Sequence, residues 1–570
     1  MLDKIRPQSD AVTREVILSG IKAAVAEMDV LIGRAAMSPV IKDKKDYFMG
    51  LFDSRGRMIH VLTSYSGPGL VQPILDRFPV EEIEPGDTFF YNDPFSTKGA
   101  VGHLPDIVIT MPFFSGGEDL LGFSVTFGHL ADVGGLTYGS SAMEAKDTFH
   151  EGMAFTPMRV GRNGNVDPTF METLLRNTRS PDLVQGDWRA LRAGCQLGVA
   201  RAEALIRKWG DVAFKDTVEW SLSRSEARIK RIIHDVLADG SYSAVNYADG
   251  MSTSLPKLKV GATLKKIGDQ MILDLTDSDD QVPAPLNYIA SLNGVRLLVQ
   301  MQLKVLDPEI GNDEGGMQSI TELVLREGSV VAPTFPAALS NRAMPRSALI
   351  NDISDILAEM SAGKMSASSP VHIVCRFAFE DGKTLGETLG PGQGARPFGD
   401  GPDVIYGAAQ RNYPVEQLEP VYPVQIERYE IRTDSGGVGK FRGGCGAKRA
   451  LRMMCDGDFS PRLSNTLIPC PGTNGGGPGG LGRVTLYREG GAPQTYPGVY
   501  GGIPFKAGDL IVLESSGGGG WGNPLERPVE LVLRDVSERF VSADAAWESY
   551  GVRIEDGKVT ELHPARIASA

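Results

Sequence analysis

Two short polar clusters carry residue types that do chemistry: His103-Leu-Pro-Asp106 and His129-Leu-Ala-Asp132. Imidazole nitrogen with carboxylate oxygen is a mixed donor set suited to a divalent metal. Between the clusters lie two apolar runs, Ile107-Val108-Ile109 and the alternating Leu121, Phe123, Val125 and Phe127, which read as strands. Ser115-Gly116-Gly117-Glu118-Asp119 joins them with hairpin-turn chemistry. A turn centred near Gly117 sets Asp106 against Gly128 and His129 against Pro105. Directly opposed residues lie ~5 Å apart, so His103, Asp106 and His129 meet at one end of the hairpin. The alternative is a pair of hydrogen-bonded histidines at strand ends, with no ion. Asp132 reads as a fourth ligand, as a carboxylate that orients a histidine, or as a turn residue. Glu151, in His150-Glu151-Gly152, is a candidate general base or an exposed turn residue.

The elements that must position these groups begin with a helix over residues 10–37, with Val12, Val16, Ile21, Val25, Met28 and Ile32 near helical spacing. Ser38-Pro39 ends it, and the basic run Lys42 to Lys45 reads as a solvated bend. Residues 46–61 read as strand, turn, strand, with Asp46 at a strand start, by default a surface position. Residues 62–91 carry turn signals, a short helix and the strand Thr88–Tyr91, then the tight turn Asn92-Asp93-Pro94. An irregular loop spans Gly134 to Ala142. Helices are expected over 167–179, 186–209 (closed by Gly210), 214–238, 285–306 and 345–360, the last with Pro345 at its first position. Residues 241–280 alternate like a meander of strands. After about residue 370 glycine and proline dominate, as in Gly475-Gly-Gly-Pro-Gly-Gly480 and Gly517-Gly-Gly-Gly-Trp521, between short strands such as 425–432 and 510–514. The glycines suit tight turns of positive φ and close backbone packing. The tail, 529–541 and 544–550, is helical and closed by Gly551.

The expected fold class is mixed α/β (α+β) and multidomain. Residues 1–240 form an N-terminal α/β region with β-hairpins that bears the metal site. Residues 241–370 form a middle α/β region, and residues 371–570 a Gly/Pro-rich β domain with C-terminal helices.

Composition excludes several function classes. The 570-residue chain has a net charge of −13 and no basic stripe, so nucleic acid is not an expected partner. No apolar run reaches the ~18 residues of a membrane helix, and the N-terminus is polar without a secretory core. Five scattered cysteines without a CxxC pair argue against disulfides or thiolate zinc and for the cytoplasm. Gly477-x-Gly479-x-x-Gly482 matches a dinucleotide fingerprint only formally, because a strand-like run rather than a helix follows it. Gly382-Lys383-Thr384 resembles the end of a P-loop, but Phe377 stands where the first glycine belongs. There is no GxSxG, and Cys195 falls on the apolar face of a helix.

Taken in order, several segments form a wider pattern. They are Ser38-Pro39, Lys45-Asp46, Leu51-Phe52-Asp53-Ser-Arg-Gly56, Asn92-Asp93-Pro94, His103-Leu-Pro-Asp106, His129-x-Ala-Asp132-Val-Gly-Gly135, Glu151-Gly152 and Arg176-Asn177-x-Arg179-x-Pro181. Late in the chain come Glu427-Arg428-Tyr429-Glu430, Asp434-Ser-Gly-Gly437, Arg442-Gly-Gly444 and Gly517-Gly-Gly-Gly-Trp521-Gly-Asn-Pro524-Leu-Glu-Arg527. From about residue 10 to 552 the chain resembles the hydantoinase B family, the second subunit of ATP-dependent hydantoinases and 5-oxoprolinases, with relatives among acetone and acetophenone carboxylases and caprolactamase-type lactamases.

The resemblance implies one divalent metal, zinc or manganese, held by His103, Asp106 and His129 with Asp46 as a further ligand. It implies a hydantoinase A-type, actin-like ATPase partner that binds ATP and phosphorylates the carbonyl oxygen of a small cyclic amide, in a heterotetramer or larger assembly. A metal lowers the pKa of bound water and stabilises oxyanion charge, with Asp132 or Glu151 as proton acceptor. The expected function is therefore ring opening of a lactam, 5-oxoproline or hydantoin. A ketone-carboxylase subunit and a non-catalytic scaffold are the rival readings. Two departures adjoin the site: Leu130 where many relatives carry a second histidine, and the longer approach Thr97-Lys-Gly-Ala-Val-Gly102.

Overall fold

The computed structural model describes residues 9–62, 67–140, 142–251, 255–406 and 411–569. The polar N-terminal segment before residue 9, residues 63–66 of the turn-rich stretch and Ser141 of the irregular loop lie outside the described residues.

The site rests on an antiparallel sheet of β1 (Tyr47–Asp53), β2 (Met58–Val61), β3 (Thr88–Tyr91), β4 (Asp106–Ser115), β5 (Asp119–His129), β6 (Met158–Arg162) and β7 (Asn165–Val166), ordered β2-β1-β5-β4-β3-β6-β7. Both faces are covered. Ile107, Ile109, Met111 and Phe113 of β4 join the core under the helices Ala11–Ala35 and Pro181–Trp209. Val108 and Phe114 join the other core, with Phe48, Phe89, Phe123 and Phe127 and with Leu297 of the helix Leu292–Leu303. A strand buried on two faces reads as a continuous apolar run, which is why β4 reads DIVITMPFFS.

The first helix is Ala11–Ala35, capped by the Asp10 carboxylate on Val12 N and Thr13 N. Its buried stripe is Ile17, Ile21, Val25, Met28 and Ile32. Val12 and Val16, expected on that face, are 72% and 43% exposed. Ile17 precedes Ile21 by one four-residue step, whereas Val16 sits one residue, about 100°, out of phase. Ser38 then caps a short helix, Pro39–Lys42.

In the middle of the chain the strands Gly240–Met251, Leu255–Ile267 and Gln270–Asp274 form the expected meander, extended by Glu322–Val324, with the helix Ala343–Met360 packed on it. The helix expected over 285–306 begins only at Leu292, where the Ser291 hydroxyl caps Gly294 N. Upstream, Tyr288 N and Ala290 N donate to Val330 O and Val331 O, so that backbone is committed to an extended partner. Pro345 is the third rather than the first residue of its helix, a position whose missing N–H has no intrahelical acceptor anyway.

The last third holds two sheets around one core containing Cys375, Phe377, Leu451, Phe459 and Leu513. Gly382-Lys383-Thr384 belongs to the hairpin turn between the strands Ile373–Phe379 and Thr384–Leu389. The glycine clusters do more packing than turning. Gly517 to Gly520 lie outside any strand, and none has a positive φ. Their backbone bonds run to neighbouring segments: Gly518 N to Gly444 O (3.1 Å), Gly519 N to Ser368 O (3.0 Å) and Gly520 N to Gly477 O (2.9 Å). A Cβ on Gly517 would lie 1.6 Å from Ser435 O, and one on Gly518 2.1 Å from Gln393 O. The tail forms the helices Val529–Ser537 and Ala543–Tyr550, the second closed by Gly551 in the left-handed conformation.

Candidate metal centre

The hairpin of β4 and β5 pairs Ser115 with Asp119 and Phe114 with Leu120, as a turn centred at Gly117 requires. The next pair is Phe113 with Gly122, so Leu121 is an extra residue on β5. This bulge moves Leu121 into the core under the long helices, while Phe123, Val125 and Phe127 keep to the other. It also advances the register by one. Asp106 faces His129, not Gly128 as expected, and Pro105 O accepts from Leu130 N rather than facing His129. The slip tightens the site, because Asp106 and His129 become direct partners.

His103 reaches the same point from the turn before β4, where Asp106 N donates to His103 O. Three donor atoms converge. His103 Nε2 lies 3.0 Å from Asp106 Oδ1, His129 Nδ1 lies 3.1 Å from the same oxygen, and the two nitrogens are 3.1 Å apart. Two N–H groups cannot both point at Asp106 Oδ1 without their protons crowding each other. A triangle of three lone pairs is the arrangement that a cation resolves, so the residues fit a divalent ion. Among the described residues these are the only His, Cys, Asp or Glu groups clustered closely enough to share one.

Asp46 arrives by strand pairing. β1 runs against β5 up to Tyr47 opposite Gly128, and His129 N donates to Asp46 O one step further (3.1 Å). Asp46 lines the same cavity of about 290 Å³ as the three donors. Burial raises its pKa, with His129 opposing. Burial, then the Arg342 guanidinium, pushes His103 down to about 3, so it is held neutral with a lone pair to offer. Burial also disfavours the Asp106 carboxylate, but hydrogen bonding with the two histidines and the charge of Arg342 outweigh it and hold the group well below the usual range. Arg342 Nη2 donates to Asp106 Oδ2 at 2.8 Å, fixing the oxygen that points away from the triangle.

Asp132 and Glu151 do not line the cavity. Asp132 is fully buried and accepts from Gly139 N (2.9 Å), Arg179 N (2.7 Å) and Arg179 Nη1 (2.7 Å), tying the irregular loop to the turn ahead of a helix. Glu151 is fully buried, not an exposed turn residue. The short helix Thr148–His150 packs on the segment around Pro336, with Thr148 N donating to Pro336 O (2.7 Å). Glu151 thereby accepts from Leu339 N (2.9 Å) and Ser340 N (2.7 Å), just before Arg342.

A scan for known families matches the hydantoinase B/oxoprolinase profile over residues 10–524. The chain belongs to that family. A putative D-/L-hydantoinase subunit of Pseudomonas sp. (strain NS671) is 29% identical over 96% of both chains. The beta subunit of the Pseudomonas jessenii caprolactamase is 27% identical over 98% of this chain and 99% of its own. The solved ATP-dependent caprolactamase of that organism has the same fold, with a TM-score of 0.85 across 99% of each chain at 24% identity. The acetophenone carboxylase delta subunit of Aromatoleum aromaticum is 25% identical over 85% of this chain and 77% of its own.

In this hydantoinase B-family chain, cavity residues that sequence reasoning missed come from distant segments: Lys44, Arg342, Arg346, His372, Arg376 and Arg462. Lys44 is 7% exposed, contrary to the solvated bend expected at 42–45. Its ammonium lies 4.8 Å from the centre of the Tyr413 ring and donates to Gly386 O, and burial lowers it to about 8. One feature of the sequence could have marked Arg376. Arg376 alternates with buried Cys375 and Phe377 on a strand, so it must point to the other face. That face was legible; what it looked onto was not.

Proposed function

We propose that this chain is the metal-binding catalytic subunit of an ATP-dependent cyclic-amide hydrolase that opens a lactam, 5-oxoproline or hydantoin ring. The observation that carries the proposal is the convergence of His103, Asp106 and His129 on a cavity large enough for a small cyclic substrate. Family membership and the names of the hydantoinase and caprolactamase subunits support the substrate class. ATP is assigned to a separate actin-like ATPase subunit of the hydantoinase A type, which activates the carbonyl by phosphorylation. That the relatives are named as subunits supports such a complex, a heterotetramer or larger.

A divalent ion, zinc or manganese, held by His103, Asp106 and His129 with Asp46 as a further ligand, supplies Lewis acidity and makes coordinated water more acidic. The observed separations of 3.0–3.1 Å bring the three donor atoms close enough to share one ion. Arg342 keeps Asp106 ionised and oriented. Neutral His103 presents Nε2. Asp132 and Glu151 lie outside the cavity lining and accept from backbone N–H groups, which suits them to positioning, Asp132 for the loop and Glu151 for the backbone that presents Arg342, in place of the proton acceptor expected from sequence.

The test is reconstitution with a hydantoinase A-type ATPase subunit as partner. Lactam-dependent ATP hydrolysis with ring opening is expected, lost in His103→Ala while the complex still assembles. Unchanged turnover in that variant would leave only a scaffold role. Kinship with an acetophenone carboxylase subunit makes ketone carboxylation the second reading; bicarbonate-dependent consumption of a ketone would establish it.

A further inference from the structure

One wall of the metal cavity is cationic, in a chain whose net charge is −13. Lys44, Arg342, Arg346, Arg376 and Arg462 line it against only Asp46 and Asp106. Strand register explains how the wall is built. Arg376 lies across from Gly386 on one side, and Val374 lies across from Thr388 and Arg462. Opposed residues share a face, and all five line the cavity. The opposite face, with Cys375, Phe377 and Phe459, is the core of the last third of the chain. Arg342 and Arg346 come from the helix Ala343–Met360 and its first cap, one helical turn apart. Arg342 is committed to Asp106, and Arg376 also donates through both terminal nitrogens, to Tyr138 O and Gly139 O.

We infer that Arg346, Arg376 and Arg462 form a subsite for a tetrahedral phosphoryl group beside the metal centre. Guanidinium donors from three separate elements suit three terminal oxygens pointing in different directions, whereas a planar carboxylate is satisfied by the fork of one arginine. The arginines also repel one another. Burial first, then Arg376, with Glu151 opposing and Arg342 adding to it, lowers Arg462 to about 9, a cost that a bound dianion reduces. The inference rests on the proposed function for the origin of the group, which enters on an activated substrate or remains as inorganic phosphate. No bond is made or broken at the subsite; it holds the charge while the ring carbon faces His103, Asp106 and His129.

The test is calorimetric titration of the isolated full-length chain, stripped of metal by chelation, with inorganic phosphate, methyl phosphate and acetate. Phosphate is expected to bind and acetate to compete poorly. Arg462→Met and Arg346→Met should each weaken phosphate by roughly tenfold or more, with Arg462→Lys intermediate and His103→Ala unchanged. Arg346 is not among the buried residues of its helix, so R346M keeps the test open if R462M misfolds. Methyl phosphate binding would identify an ester-borne group, and binding of phosphate alone a product site; both support the subsite. Equal affinity in R462M and R346M, equal competition by acetate, or loss of binding in His103→Ala would each overturn it. Because binding is read without the partner or turnover, its failure is distinct from failure of the hydrolase proposal.

Discussion

The hairpin that gathers His103, Asp106 and His129 and the glycine lattice are built on opposite principles. At the end of β4 and β5 the side chains matter and the backbone is an ordinary antiparallel ladder that delivers them. Around Gly517 to Gly520 the absence of side chains matters, because neighbouring backbones occupy the space a Cβ would need. The first arrangement gives up stability for chemistry, with a buried carboxylate, an arginine and two imidazoles crowded together. The second carries no titratable group in its glycines and ties together the backbone at Ser368, Gly444 and Gly477. Damage should therefore separate cleanly: hairpin variants lose function and keep the fold, and lattice variants lose the fold and keep the function of whatever remains folded.

The sharpest way to break that contrast is His103→Ala or His129→Ala, expected to lower turnover of the reconstituted complex by on the order of a thousandfold, with little change in melting temperature. A large loss of stability would show that the cluster is structural. Gly517→Ala is the mirror experiment. Overpacking against Ser435 O should cost about 3 kcal/mol or more, seen in chemical denaturation, with metal content per folded molecule unchanged.

Arg342→Met should keep the metal but weaken it roughly 10- to 100-fold, measured by competition with a chelator. Glu151→Gln should lower turnover by about tenfold at full metal occupancy, since the carboxylate positions Leu339 and Ser340 rather than the ion. A loss of metal in that variant would contradict its role.

The smallest effect concerns pH. Burial, with Lys22, lowers His60 from 6.5 to about 4 in the folded chain. The unfolded chain takes up the proton first, so His60 costs no stability above pH 6.5 and lowers it progressively as pH falls toward 4. His60→Gln should flatten the fall in melting temperature across that window by about 1–2 °C.

The hairpin was legible because its information is local. Strand composition, turn and the spacing of His103, Asp106 and His129 lie within one short stretch, and the single error was the bulge at Leu121, which no periodicity marks. Asp46 was not legible by the same route, since its neighbour His129 is set by the pairing of β1 with β5, distant in sequence. Arg342, Arg376 and Arg462 were further out of reach, on elements whose docking is a property of the whole fold. Helix and strand types were largely readable, whereas starts decided by competition for backbone partners, as at Ser291, were not. The glycine clusters announced close packing, but which backbone met which depended on four separated segments.

The central claim is that His103, Asp106 and His129 hold one divalent ion. Elemental analysis of the purified chain, beside Asp106→Asn and His129→Ala variants of unchanged secondary structure, tests it most directly. About one equivalent of manganese or zinc per wild-type chain, absent from both variants, is the expected result. A metal-free wild type after expression with either ion, or an ion retained in both variants, would contradict it.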